Sequence, residues 1–261
     1  MHTRARSKIN DEICLTHRFI VMLDDHLETL LGRDPERQRT AAAATLSYLR
    51  VPGTGPPRPL AELLGRPLAG ALADVWSATV DRTGPDWRQR FTGHVARYLD
   101  ANAWEADNRR ADRVPTVERF LEMRWHTSAV ALFFDLIELV NGAELPAGTH
   151  AGLAEVYRHA GNAVACFNDL VSWRKELHAG DPHNLVLVVR HDRRTTLAGA
   201  VREAVAWHDA EVRAYVLGRA AVRERYGDGS DVVRAVDGLS YWIRGPIDWS
   251  CESGRYAEAS T

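Results

Sequence analysis

The residues best suited to chemistry lie in Phe167-Asn168-Asp169-Leu170-Val171-Ser172-Trp173-Arg174-Lys175-Glu176. Asn168, Ser172 and Glu176 are spaced i, i+4, i+8. On a helix they fall within an arc of roughly 80° and span about 12 Å along one face. An amide carbonyl, a hydroxyl and a carboxylate in line suit a hard cation such as Mg²⁺. Lys175, beside them, would attract an anion held by that cation. The same spacing would also make the polar face of a surface helix. Against that stand the surrounding apolar residues Val164, Ala165, Leu170 and Val171 and the modest helix propensity of Asn and Ser.

A second cluster is Met22-Leu23-Asp24-Asp25-His26-Leu27-Glu28. Asp24, Asp25 and Glu28 share roughly a 100° arc of a helix. Their mutual repulsion, about 0.2–0.5 kcal/mol per pair, would be offset by a divalent cation. Alone, the cluster reads better as an acidic solvated face. No convincing Ser-His-Asp or Cys-His arrangement is found elsewhere in the chain.

Taken together, Asn168-Asp169-x-x-Ser172-x-x-Lys175-Glu176 resembles the metal-binding NSE motif of bacterial class I terpene synthases. Asp24-Asp25-x-x-Glu28 resembles the aspartate-rich motif of the same family, in which the first Asp does most of the metal binding. The resemblance implies three Mg²⁺ ions at the mouth of a helical cavity, clamping the diphosphate of an isoprenyl substrate between the two motifs. It implies Arg124 as diphosphate sensor, Thr127 as linker and Ser128 as effector, followed by a kinked helix over Ala131–Glu138. Arg suits the first role, being permanently charged and bidentate toward phosphate oxygens. Near the C-terminus, Arg255-Tyr256 resembles the pair that bonds diphosphate when a terminal lid closes. A cation-cyclising pocket should be apolar and aromatic; the candidates are Phe19, Val21, Phe133, Phe167, Trp242 and Trp249, the aromatic ones reading at least as well as ordinary core except Trp249, which stands where the family commonly lines the pocket with an aromatic.

Four departures from the family pattern stand out. Arg124 precedes Asn168 by 44 positions (168 − 124), slightly closer than usual. Ser128 stands where relatives often carry Gly. Ile20 and Val21 are aliphatic where relatives often carry Phe. Asp24 lies very near the N-terminus, so the chain is expected to lack the first N-terminal helices of its relatives, leaving apolar surface for a partner chain such as a second copy in a homodimer.

The elements that must position these residues read as helices. Apolar periodicity predicts helices over 9–31, from Asp34 as N-cap to about Arg50, and over 60–82, 86–112, 116–141, 148–179, 194–226 and 231–249. Val51–Pro59 is a loop rich in Pro and Gly, and Asn184–Val189 is read as a short helix, since a lone strand would have no partner. The expected architecture is all-α: one domain over 1–261, a helical bundle around a central apolar cavity. At 261 residues the chain can bury a sizeable core.

A net charge of −2 with mixed signs gives no basic stripe for nucleic acid. Cys14, Cys166 and Cys251 form no metal spacing and suggest reduced thiols in the cytoplasm. No apolar run approaches a membrane span. The expected function is Mg²⁺-dependent ionisation of an isoprenyl diphosphate, farnesyl diphosphate favoured, with cyclisation of the carbocation. The alternatives are a degenerate non-catalytic paralogue serving as a binding or assembly subunit, and an isoprenyl diphosphate synthase.

Overall fold

The structure is a computed structural model that describes residues 23, 34–51, 55, 58–143, 145 and 148–252. Among these residues every regular element is a helix. Phe19, Val21, Asp24, Asp25, Glu28, Arg255 and Tyr256 lie outside the described residues. The predicted 9–31 helix is represented by Leu23 alone, which is helical and buried. The chain divides into two compact units, one ending at Asp112 and one beginning at Arg113.

In the first unit, Asp34 caps α1 (Pro35–Arg50), its carboxylate accepting from the Arg37 N–H at 3.0 Å, as the sequence leads one to expect. The expected helix over 60–82 is two helices, α2 (Arg58–Leu64) and α3 (Arg66–Val80). Gly65 separates them with φ +78°, and Pro67 stands in the first turn of the second. The apolar period runs through the break, which is why periodicity alone merges them. α4 (Pro85–Arg110) packs along α1. Trp76, Phe91 and Tyr98 are core residues of this unit, and Phe91 stacks on both Trp76 and Trp87.

The second unit holds the sequence motif at 168–176. α5 (Val117–Thr127) and α6 (Val130–Asn141) replace the single helix expected over 116–141. α7 (Thr149–Ala179) packs against α9 (Leu197–Tyr226) and α10 (Asp231–Glu252), and α8 (Leu185–Asp192) lies against α7 and α9. One apolar cluster gathers Phe134, Leu153, Val156, Tyr215, Val236 and Leu239. A second gathers Phe120, Cys166, Leu185, Val186, Val188 and Val189. That cluster fixes Asn184–Val189 as the start of a helix, since four of its five apolar positions are fully buried against α5, α7 and α9.

Candidate metal centre

The α5–α6 break carries the first set of site residues. No Gly or Pro marks it. Ser128 caps α5, its N–H donating to the Arg124 carbonyl at 3.1 Å. Ala129 then takes φ +56°, a left-handed backbone that costs a non-glycine residue about 1 kcal/mol. Packing holds the turn in place. Ala129 and Val130 are buried, and the Trp125 ring fills a notch on α7 at Gly161. A Cβ at Gly161 would stand 2.0 Å from Trp125 Cζ3. The break thus falls at Ser128–Ala129, with Ala129 as its left-handed residue, while the 131–138 stretch that the resemblance implied to be kinked runs unbroken within α6.

This arrangement aims Arg124 at α7. Its Nη2 donates to Asp169 Oδ1 at 2.6 Å and to Asn168 Oδ1 at 3.1 Å, and its Nε donates to Asp169 Oδ2 at 3.3 Å. Nη1 donates to Thr127 Oγ1 at 3.3 Å. The Asp169 side chain is 1% exposed, and its Oδ2 also accepts from the Leu185 N–H, at the start of α8, at 3.0 Å. A helix N-terminus favours a carboxylate there. Ser128 does not point the same way: its hydroxyl donates to the Trp125 carbonyl at 3.3 Å.

The second set lies on α7, where Asn168 is exposed, Ser172 buried and Glu176 half-buried. α7 ends on Gly180, φ +70°, with the Asp181 N–H donating back to the Glu176 carbonyl at 3.0 Å. The turn brings Asn184 back against α7. Its Nδ2 donates to Glu176 Oε2 at 2.6 Å and to the Asp169 carbonyl at 2.9 Å, with Ser172 Oγ at 3.4 Å. Burial, and then the neighbouring Asp169 carboxylate, push the Glu176 carboxyl up to about 7. Hydrogen bonds from Ser172 and Asn184 and the charge of Arg124 act in the opposite direction.

These residues fit a hard divalent cation. They offer oxygen donors only, and a carboxylate resisting ionisation beside a second carboxylate gains from added positive charge. Among the described residues no three His, Cys, Asp or Glu side chains gather as a metal cage, so the donor set here is mixed: amide, hydroxyl and carboxylate. Lys175 is exposed on the same helix.

The aromatic candidates divide. Phe133 and Trp242 stack, with centroids 4.6 Å apart, joining α6 to α10. Phe167 instead tilts against His208 on α9, at 6.2 Å. Trp249 is 47% exposed. Two residues of the centre escape a reading of the sequence. Asp169 stands inside the motif, yet its part is to hold Arg124, 45 positions away. Asn184 carries an N-cap signature, but nothing local reveals its reach to Glu176.

The family model described as terpene synthase family 2, C-terminal metal binding, matches residues 17–214. The chain belongs to this terpene synthase family. It is 37% identical over 252 residues to 10-epi-cubebol synthase of Sorangium cellulosum, covering 94% of this chain and 78% of that protein. It is 34% identical over 245 residues to (+)-T-muurolol synthase, named as (2E,6E)-farnesyl diphosphate cyclizing, of Roseiflexus castenholzii, covering 92% and 72%. Wild-type cucumene synthase has a similar solved structure, at TM-score 0.71 and 27% identity over 88% of this chain and 75% of that one. The linalool/nerolidol synthase of Streptomyces clavuligerus shares the fold at TM-score 0.75 and 22% identity, covering 89% and 78%. The all-α class I terpene synthase fold expected from the sequence is thus the observed one, and the metal-binding family is shown. No helix among the described residues is long and apolar enough to cross a membrane.

Proposed function

We propose that this chain acts in the cytoplasm on farnesyl diphosphate with Mg²⁺, releasing diphosphate and cyclising the carbocation, with loss of a proton or capture of water giving the neutral sesquiterpene. The observation that carries this reading is the seating of Arg124 on Asp169 beside Asn168, with Ser172 and Glu176 on the next two turns of α7. Asn168, Ser172 and Glu176 would hold Mg²⁺, and Asp24, Asp25 and Glu28 are proposed as further ligands on their sequence pattern. Bound Mg²⁺ supplies charge neutralisation for a leaving group that departs with the electron pair of the broken C–O bond.

The residues of the chain do the rest. Arg124, braced by Asp169 and Thr127, offers a fixed guanidinium to the diphosphate, and Lys175 adds a second cation. Arg255 and Tyr256 are proposed to bond the same group. Ring faces such as those of Phe133 and Trp242 favour positive charge without attacking it. The substrate's own double bonds then serve as nucleophile, so no protein nucleophile is required.

Incubation with geranyl, farnesyl and geranylgeranyl diphosphates plus Mg²⁺, followed by gas chromatography of the extracts, tests the proposal. A cyclic C15 product formed only with metal is expected. Absence of any product would favour a non-catalytic binding subunit, and a longer prenyl diphosphate, formed when isopentenyl diphosphate is added, would indicate chain elongation instead.

A further inference from the structure

Asn184 lies outside the metal motif, yet it touches every turn of it. Its side chain is fully buried. Nδ2 carries two protons and meets Glu176 Oε2 at 2.6 Å, the Asp169 carbonyl at 2.9 Å and Ser172 Oγ at 3.4 Å. The first two take the protons, and the third is a weaker shared contact. Oδ1 accepts from the Val186 N–H at 2.9 Å and so caps α8. The backbone N–H donates to the Pro182 carbonyl at 2.8 Å. One amide thus ties the first turn of α8 to three successive turns of α7. Because α8 is buried over Leu185, Val186, Val188 and Val189, the amide has little room to move.

We propose that Asn184 is a positioning residue for the cation site. By donating into Oε2 it fixes the plane of the Glu176 carboxylate and leaves Oε1 to face a cation. The same NH₂ group restrains the Ser172 hydroxyl. A carboxylate free to rotate would lose more entropy on binding metal, so the prearranged one binds more tightly. The cap role alone would stabilise the helix without affecting metal affinity, and that difference is measurable. The inference rests on the metal role proposed above for Ser172 and Glu176.

Asn184→Ser separates the two roles. Serine keeps a capping oxygen but cannot reach Glu176. The probe is Mn²⁺ with inorganic diphosphate, free Mn²⁺ being followed by electron paramagnetic resonance. Asn184→Ser is expected to weaken Mn²⁺ binding about tenfold, in the range typical of groups that orient metal ligands. The Mg²⁺ concentration for half-maximal turnover should rise by a similar factor, and turnover at saturating Mg²⁺ should fall by less. In a Glu176→Gln background the same substitution should add little, because the effect passes through Glu176. Should the serine variant fail to fold by circular dichroism, Asn184→Thr, which keeps the cap and fills more of the space, is measured in its place. Unchanged Mn²⁺ affinity with only a lowered unfolding midpoint would reduce Asn184 to a helix cap and overturn the inference. Additive losses in the double variant would overturn it as well. Wild-type turnover keeps these outcomes apart from failure of the proposed function, which would show as no diphosphate release by the wild type.

Discussion

Arg124 and Asp169 form a forked ion pair whose side chains are 15% and 1% exposed. Removing the guanidinium takes from this buried carboxylate the counter-charge that Arg124 supplies. Arg124→Ala should therefore lower the unfolding free energy by about 3 kcal/mol in urea titration, as breaking a buried pair does. It should also cut diphosphate release severely. Arg124→Lys restores charge but not the two-pronged geometry, and should recover stability better than turnover. Cys166 offers a pH test. Burial, foremost, pushes its thiol up to about 12, against about 8.5 for an unfolded cysteine. The unfolded thiol ionises first, so this group lowers stability as pH rises from about 8.5 toward 12 and contributes no such loss below that range. In a Cys14→Ser, Cys251→Ser variant, Ellman's reagent at pH 8 should leave the native thiol unmodified and react once urea unfolds the chain.

Between elements, the notch at Gly161 and the left-handed Ala129 set where α5 stops and how Arg124 meets α7. Gly161→Ala would drive a Cβ into the Trp125 ring and should cost about 2 kcal/mol in unfolding free energy by urea titration, with partial recovery when Trp125→Leu is added. Ala129→Gly removes the left-handed penalty at the cost of chain entropy, and should raise unfolding free energy by about 0.5 kcal/mol in the same titration. These sites mark the limit of what local sequence conveys. The line of Asn168, Ser172 and Glu176 is legible because helix period alone aligns it, and Asp34 before Pro35 announces α1. The break at Gly65 carried its signal, a Gly followed by Arg-Pro, but the continuing apolar period hid it. The break at Ala129 has no breaker residue at all. Tertiary packing of Trp125 holds it in place, just ahead of the 131–138 stretch where the resemblance implied a kink. Asp169 and Asn184 acquire their roles through contacts across turns and helices, which spacing along one helix cannot express.

For the molecule as a whole, the helical architecture, the metal-binding family and the mixed oxygen donors on α7 all point to one chemistry: departure of diphosphate from an allylic carbon. The most direct test is diphosphate release from farnesyl diphosphate by the purified chain, with Mg²⁺ or with excess chelator, beside Asn168→Ala measured identically. The account predicts release by the wild type that stops with the chelator and is abolished by Asn168→Ala. Undiminished release by Asn168→Ala, or release that continues without divalent metal, would contradict it.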